Sequence, residues 1–266
     1  FGLYAKEDIK AGGKVIVKAD EQLCTAVTGE DGTAIFEQNL PFGSYYIKEL
    51  QAPDGFVSSD EIIEVTVSYQ GQDVEVVRLK EIFKNQPTTV EFRKSDLTTG
   101  VELDGATLTV LDKDGNEIDK WTSVKGEPHI IKRLHVGETY ILREEFAPYG
   151  YLKAEEVEFT ITDTAEIQKV EMKDDVPIGR IIINKKGEFL SEVSWNDMVA
   201  GAMDSIWGYV TGSLKDVTFE IYAREDIKAA DGESDDYYKK DELVATIKTD
   251  ELGIARTDDL PLGKYY

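Results

Sequence analysis

Short segments in which apolar and polar residues alternate recur along the whole chain and predict β-strands. Ile62–Val67 reads Ile-Ile-Glu-Val-Thr-Val and residues 157–161 read Val-Glu-Phe-Thr-Ile, so each has one apolar face for a core. Thr107–Leu111 is followed by residues 112–116 (Asp-Lys-Asp-Gly-Asn), which are typical of a hairpin turn. No convincing long stretch has apolar residues at helical spacing. The pattern predicts an all-β chain built from antiparallel strands.

The chain repeats itself, which indicates tandem domains. Residues 45–56 (Tyr-Tyr-Ile-Lys-Glu-Leu-Gln-Ala-Pro-Asp-Gly-Phe) recur as residues 140–151 (Tyr-Ile-Leu-Arg-Glu-Glu-Phe-Ala-Pro-Tyr-Gly-Tyr). Shorter echoes link residues 3–9 with 221–227 and residues 40–46 with 260–266. Repeats of about 90 residues with this density of strands predict β-sandwiches arranged end to end. The prolines at 87 and 177 mark boundaries, which divides the chain into domains 1–86, 87–175 and 176–266.

Two of these domains are expected to be partial copies. The first lacks a counterpart of the opening strand of the second, and the third stops before its last strands, so we expect a piece of a longer array. Lys185 to Phe219 spans 20 residues more than the equivalent Lys94 to Leu108, which places an insertion near residues 187–215. We interpret it as an extended hairpin or short helix that packs its own apolar face; the alternative is an exposed binding surface. Its apolar residues include Trp195, Met198, Met203, Ile206, Trp207 and Tyr209.

Charge and composition narrow the range of functions. With 30 Lys and Arg against 53 Asp and Glu, the net charge of −23 argues against nucleic acids and anionic membrane surfaces as partners. The single Cys excludes an intrachain disulfide, and one Cys with two His offers few ligands for a transition metal, so we expect no metal site and no cofactor. Residues 112–116 imitate the start of a calcium loop but lack its final Glu, so we interpret them as a turn. No apolar run is long enough to span a membrane.

The second copy of the repeat carries a specific motif. Residues 140–151 fit Tyr-x-Leu-x-Glu-x-x-Ala-Pro-x-Gly-Tyr, which resembles the E-box of Gram-positive surface proteins. Together with Lys94 and the strand at residues 105–108, the repeat resembles the collagen-adhesin B-type domain (CnaB, SpaA-like). That resemblance implies a prealbumin-like or transthyretin-like Greek-key sandwich in the stalks of adhesins and pilins. It also implies an isopeptide bond, which joins a Lys on the first strand to an Asn or Asp on the last and is promoted by a buried Glu.

Carried over residue by residue, the family pattern assigns roles in the second domain. Lys94 is the nucleophile, Glu144 the proton shuttle and Asp174 the acyl partner, with Asp175 left open as an alternative. Burial makes this chemistry feasible, because it lowers the pKa of an amine and raises that of a carboxyl group. Holding the groups on adjacent strands adds a proximity term that reaches roughly 7–11 kcal/mol. Each domain needs a single turnover, so no enzyme activity is expected.

The outer domains retain parts of the same pattern. In the first, Glu49 and Asn85 match the shuttle and the acyl partner, and the matching Lys is expected upstream of Phe1. In the third, Lys185 matches the nucleophile, with Lys186 left open, and its partners are expected beyond Tyr266. The sequence therefore predicts that only the second domain closes its bond within this chain.

Three functions are compatible with the sequence. The favoured one is a structural stalk segment of an extracellular, cell-wall-anchored protein of a Gram-positive bacterium, with neighbouring repeats as its partners. The second is an adhesin module that binds a host matrix protein or glycan. The third is an accessory β-sandwich module of a secreted carbohydrate-active enzyme. Anchoring is implied by the family alone.

Overall fold

The computed structural model describes residues 1–195 and 205–266, and every regular element in them is a β-strand. This confirms the predicted all-β class. Within these residues no helix is long and apolar enough to cross a membrane.

The first domain is built around a single four-stranded sheet and a small hairpin. Its strands are β1 Gly2–Ala5, β2 Ile9–Ala11, β3 Lys14–Val17, β4 Gln22–Thr25, β5 Gly43–Lys48 and β6 Ile62–Val67. The sheet has the order β4-β1-β5-β6, and β2 pairs with β3. Leu3, Tyr45 and Val65 form the centre of its core. The sheet therefore has one well-covered apolar face.

The second domain has seven strands in two facing sheets. They are β7 Thr89–Asp96, β8 Thr107–Leu111, β9 Glu117–Thr122, β10 His129–Lys132, β11 Thr139–Phe146, β12 Val157–Thr160 and β13 Gln168–Asp174. One sheet has the order β10-β7-β13 and the other β12-β11-β8-β9. Side chains such as Phe92, Leu108 and Leu142 fill the space between the sheets and are nearly inaccessible to solvent. The core of the sandwich lies here.

Within these two domains, one strand pair departs from the antiparallel rule. β7 and β13 run parallel, with Met172 opposite Lys94 and Asp174 opposite Asp96. β7 is the centre of its sheet because it pairs with β10 on its other edge. This arrangement brings the beginning and the end of the domain side by side. The turn between β8 and β9 matches the sequence interpretation, since the Asp112 carboxylate accepts its backbone N–H groups.

A comparison of the two domains shows what the first one lacks. The repeat aligns residues 79–85 with β13, yet residues 79–85 form no strand. The described residues of the first domain contain no counterpart of β7, and an extended segment without a neighbouring strand has no ladder of hydrogen bonds to join. Leu79 and Ile82 are consequently 49 % and 70 % exposed.

The third domain consists of paired strands. They are β14 Ile178–Gly179, β15 Ile182–Asn184, β16 Lys186–Trp195, β17 Ser205–Ser213, β18 Thr218–Tyr222, β19 Leu243–Lys248, β20 Ile254–Arg256 and β21 Leu260–Pro261. The pairs are β14 with β21, β15 with β20, β16 with β17 and β18 with β19. Most of the predicted insertion consists of β16 and β17, which pair with each other; of the two forms that the sequence left open, hairpin and helix, the structure has the hairpin. Met198 and Met203 lie outside the described residues.

The first and second domains meet through the loop that ends the E-box-like segment of the first. Gly55 has a φ of +81°, and a Cβ atom there would lie 2.6 Å from the carbonyl oxygen of Arg133. The backbone N–H of Thr88 donates to the Gly55 carbonyl at 3.0 Å, and the Arg133 guanidinium lies 5.1 Å above the Phe56 ring. The junction is therefore set by backbone contacts that leave no room for a side chain at position 55.

The second and third domains meet through polar loops. Thr99 Oγ1 donates to Asp231 Oδ2 at 3.2 Å, and Lys125 forms an ion pair with Glu233. Gly150 of the second E-box lies against the side chain of Ala230, 3.5 Å from where its own Cβ would stand. The E-box loop thus lies at the junction with the following domain in both copies.

Candidate functional site

Lys94 reaches the interior of the second domain because of the alternation along β7. Val90, Phe92 and Lys94 share one face of the strand, and all three are buried. The Lys94 side chain is fully inaccessible to solvent. Its neighbours on that face are apolar, so the ammonium group depends on the few polar atoms that reach it.

Glu144 comes from the opposite sheet. On β11 the residues Tyr140, Leu142 and Glu144 share the inward face, whereas the neighbouring Glu145 is only half-buried. Glu144 is 0 % exposed, and its Oε2 accepts the backbone N–H of Ala154 at 2.7 Å. This hydrogen bond comes from the segment that follows the E-box loop, so the loop helps to hold the carboxyl group in the core.

Asp174 is the last residue of β13 and faces the same interior. Val170, Met172 and Asp174 point inward, and Asp174 is fully buried, whereas Asp175 is exposed. In the parallel register Met172 lies opposite Lys94, so Asp174 is two residues further along β13. The long side chain of Lys94 spans this distance. Of the two acids that the sequence left open, only Asp174 lies beside Lys94.

The same backbone contact follows the E-box loop in both domains, which supports the sequence alignment of the two loops. The N–H of Val57 donates to the carbonyl of Gln86 at 2.9 Å, and the N–H of Leu152 donates to the carbonyl of Asp175 at 2.8 Å. The residue before each acceptor therefore occupies the same place in its domain. These residues are Asn85 in the first domain and Asp174 in the second.

The three side chains of the second domain form one buried cluster. Lys94 Nζ donates to Asp174 Oδ1 and lies 3.1 Å from Glu144 Oε1. Among the described residues, Asp174 Oδ2 is buried without a hydrogen-bond partner, and Glu144 Oε1 is buried with the ion-pair contact to Lys94 but no hydrogen bond. Leaving buried acceptors unpaired costs about 1–3 kcal/mol each. A single proton on either carboxyl group would supply the missing donor.

The electrostatics of the cluster favour that proton. The pKa of Asp174 is raised to about 6, mainly by burial and also by the nearby Glu144 carboxyl group, while Lys94 opposes the shift. Two carboxyl groups and one amine in an apolar interior are more stable when charge is minimised. The cluster can therefore hold a neutral carboxyl group next to an amine, which is the arrangement that condensation requires.

In the first domain Glu49 and Asn85 also come together. Asn85 Nδ2 lies 2.9 Å from both carboxylate oxygens of Glu49 and donates to the carbonyl of Val57 at 3.2 Å. The N–H of Ser59 donates to Glu49 Oε2 at 3.0 Å. Both Glu49 and Asn85 are half-buried. Among the described residues no Lys forms an ion pair with Glu49, so two of the three components are present.

Lys185 lies in a different environment. It is exposed, immediately after β15, and forms no ion pair with a described residue. Its backbone N–H donates to the carbonyl of Gly253 at 2.8 Å. Lys186, the open alternative, is also exposed and begins β16. In the described residues, neither side chain meets a partner of the kind that Lys94 has. No group of three or more His, Cys, Asp or Glu in the described parts of the chain is arranged to hold a metal ion.

The sequence reasoning did not find the polar pair that closes the end of the cluster. Asp96, only 4 % exposed, accepts the phenolic O–H of Tyr151 at 2.8 Å on its Oδ2. Tyr151 was visible as the last residue of the E-box, but nothing in the sequence marked Asp96 as its partner. The pair lies between the end of β7 and the E-box loop.

The chain matches the sequence profile of one protein family. The sequence profile of the SpaA family, described as a prealbumin-like fold domain, matches residues 1–81 and 88–176, more than half of the chain. No curated protein matches the chain. The two matched segments lie on either side of Pro87.

Several solved structures are similar to the chain. The Bacillus anthracis TIE protein is 26% identical with a TM-score of 0.45, and the match covers 90% of this chain and 38% of that one. The shaft pilin SpaA from Lactobacillus rhamnosus GG is 16% identical with a TM-score of 0.32, over 66% of this chain and 86% of the pilin. The C-terminal fragment of the pilus adhesin SpaC from the same organism is 16% identical with a TM-score of 0.37, over 66% and 88%. The chain thus spans well under half of the Bacillus anthracis protein.

Proposed function

The chain belongs to the family of SpaA prealbumin-like fold domains, and from this premise we propose that it is a structural stalk segment of a surface adhesin or pilin whose central domain is locked by an amide bond between Lys94 and Asp174. The observation that carries the proposal is the burial of Lys94, Glu144 and Asp174 in one cluster between the two sheets. Charged side chains are almost never fully buried in an ordinary surface ion pair, so the burial of all three groups indicates a special role.

The reaction balances without any further reactant. The neutral amine of Lys94 attacks the carboxyl carbon of the protonated Asp174, a C–N bond forms, and one C–O bond breaks. Glu144 donates a hydrogen bond to the acyl oxygen and passes a proton from the nitrogen to the departing oxygen, which leaves as water. Glu144 ends in the protonation state in which it began. The step occurs once per molecule, so the chain is not an enzyme in the sense of turnover.

An amide at this place would carry force through the domain. β7 begins directly after the first linker, and β13 ends directly before the second. Tension would enter along β7, cross the side-chain amide and leave at Asp174, without reaching the 80-residue stretch between the bonded residues. A covalent bypass of this kind suits a stalk that must resist pulling.

Single-molecule pulling on the whole chain tests this role. Without the amide, extending the sequence between Lys94 and Asp174 releases roughly 280 Å of chain. We expect this step to be absent from the wild-type chain and present in Glu144→Gln, which lacks the proton shuttle. The matched control is Glu145→Gln, the same change at the neighbouring, half-buried residue, and its traces should match the wild type. A full-length step in the wild type contradicts the proposal.

The family also supports an extracellular location on a Gram-positive cell, with neighbouring repeats of the same protein as partners. Cell-wall anchoring would then depend on parts of the protein outside this sequence. A test is immunogold labelling of intact cells and of thin sections, and labelling seen only in the cytoplasm of the sections contradicts the proposed location.

A second candidate function, binding of a host matrix protein or glycan, is favoured by one observation. The β16–β17 hairpin pairs with no other described strand, and Phe189, Leu190, Tyr209 and Val210 on it are 43–60% exposed. Exposed apolar residues concentrated on one element can mark an interaction surface. The test measures binding of the whole chain to immobilised collagen, to fibronectin and to a glycan array. The same measurement is made on a variant in which a short turn replaces residues 188–211. Binding that survives the replacement contradicts the assignment to the hairpin.

A further inference from the structure

The pair Asp96–Tyr151 lies at the end of the buried cluster and connects β7 with the E-box loop. Asp96 is the parallel-strand partner of Asp174, and the N–H of the next residue, Leu97, donates to the Asp174 carbonyl at 2.8 Å. Tyr151 belongs to the loop between Glu144 and Ala154. A hydrogen bond between Asp96 and Tyr151 therefore ties the acyl side of the cluster to the proton-shuttle side.

We propose that Asp96 and Tyr151 are positioning residues for the amide bond, which hold Asp174 and Glu144 in their reactive arrangement around Lys94. This inference rests on the proposed function and adds two residues to it. Neither residue touches the reacting atoms. Their effect is on the placement of the two carboxyl groups relative to the amine.

Both oxygens of the Asp96 carboxylate accept hydrogen bonds. Its Oδ1 accepts the backbone N–H groups of Thr98 and Thr99 at 2.7 and 2.8 Å, and its Oδ2 accepts the Tyr151 hydroxyl. These bonds lower the pKa of Asp96 below its usual value despite its burial, and burial together with the Asp96 carboxylate raises the pKa of the Tyr151 phenol. The pair is a charge-assisted hydrogen bond between an ionised acid and a neutral phenol, a strong type of contact.

The loop that Tyr151 anchors controls Glu144. Ala154, three residues after Tyr151, donates its backbone N–H to Glu144 Oε2, and the N–H of Leu152 donates to the carbonyl of Asp175. Releasing the phenol would loosen both contacts together. Because proximity effects depend on placement to within about an ångström, a small displacement of the loop would slow condensation in a domain that is still folded.

The first domain offers a natural contrast. The residue that corresponds to Tyr151 is Phe56, which has no hydroxyl group and packs beneath the Arg133 guanidinium at the domain junction. Both loops lie at the junction with the following domain, and the loop of the second domain is in addition tied to Asp96 of its own domain by the Tyr151 hydroxyl group. The hydroxyl group of Tyr151 is therefore not a general requirement of the loop conformation.

The test measures the rate of amide formation in the whole chain. The protein is made in a short pulse of cell-free translation, synthesis is stopped, and samples are quenched in acidic denaturant at intervals. Mass spectrometry gives the fraction that has lost one water, and hydrogen exchange of β13 in parallel samples gives the fraction folded. The rate per folded molecule is the readout, because a purely structural role would change the folded fraction and leave this rate unchanged.

We expect Tyr151→Phe to lower the rate per folded molecule about tenfold, as befits loss of one strong hydrogen bond. The matched control is Tyr149→Phe, since Tyr149 lies in the same loop and is fully exposed, and it should react at the wild-type rate. Asp96→Ala should be slow, and Asp96→Asn should recover part of the rate, because its oxygen can keep the bonds from Thr98 and Thr99 while its NH2 group donates to the phenol oxygen. This comparison decides the matter if Tyr151→Phe does not fold.

The outcomes separate this inference from the proposed function. A Tyr151→Phe chain that folds and reacts as fast as the wild type overturns the positioning role and leaves the amide bond in place. Asp96→Asn as slow as Asp96→Ala overturns it as well. A wild-type chain that never loses water, like its Glu144→Gln variant, overturns the proposed bond and the positioning role together.

Discussion

Replacing Glu144 with Gln should prevent the proposed amide bond and so remove a large part of the stability of the central domain. The bond would close a separation of 80 residues between Lys94 and Asp174. The chain-entropy relation for cross-links then gives a loss of about 4.5 kcal/mol in the free energy of unfolding. Gln retains an oxygen that can accept the N–H of Ala154, so the change to the folded state itself is small. For a domain of this size we expect the unfolding midpoint to fall by roughly 20–35 °C.

The assay must resolve the central domain from its neighbours. Hydrogen exchange of peptides from β7 and β13, measured in increasing guanidinium chloride, reports the free energy of opening for that domain. Glu145→Gln is the control for a changed charge on the same strand and should stay within about 0.5 kcal/mol of the wild type. Equal opening free energies in the Glu144→Gln and wild-type chains would refute the reasoning, because the loss depends entirely on the cross-link.

Three further predictions concern the cluster and the first junction. Because burial raises the pKa of Asp174 to about 6, the proton needed for condensation is held below that pH and lost above it, so the rate of water loss should fall as the pH rises from about 5 to about 8; a rising rate contradicts the assignment. Asp174→Ala should abolish the loss of water and Asp175→Ala should not, as tested by intact mass; the opposite result would move the acyl partner to the exposed acid. Gly55→Ala places a methyl group against the Arg133 carbonyl and should destabilise the junction by about 2–4 kcal/mol. The measurement is amide exchange at Thr88, which should become faster. Gly115→Ala is the control, because Gly115 has a similar φ but open space around it, and it should not affect that exchange.

Much of the second domain could be predicted because strand periodicity is a local property. Period-two alternation places Tyr140, Leu142 and Glu144 on one face of a strand, and all three are buried. The same rule places Lys94 on the inward face of β7. Which strands carry the inward acid and the inward amine was therefore readable from the residues and the repeat.

The choice between Asp174 and Asp175 required the structure. Adjacent residues on a strand face opposite sides, so a shift of one residue in register exchanges them. The register of β13 is set by its parallel pairing with β7, which joins segments at the two ends of the domain and leaves no local sequence signal. The Asp96–Tyr151 hydrogen bond could not be predicted from the sequence for the same reason, since 55 residues separate its partners.

Residues 79–85 show that a strand depends on its neighbours. The equivalent segment in the second domain is β13, which is regular because β7 lies beside it. Without a neighbouring strand, residues 79–85 remain irregular, and apolar side chains that would face a core are exposed. The insertion likewise was ambiguous between hairpin and helix, because short apolar segments are compatible with either element.

The intact mass of the denatured wild-type chain, measured beside Lys94→Ala, tests the central claim most directly. The wild-type chain should be lighter than its sequence by one water, and digestion should recover a branched peptide that contains both Lys94 and Asp174. The Lys94→Ala chain should have the full mass of its sequence. A wild-type chain that also has its full mass would mean that Lys94, Glu144 and Asp174 form a buried polar cluster without a covalent bond.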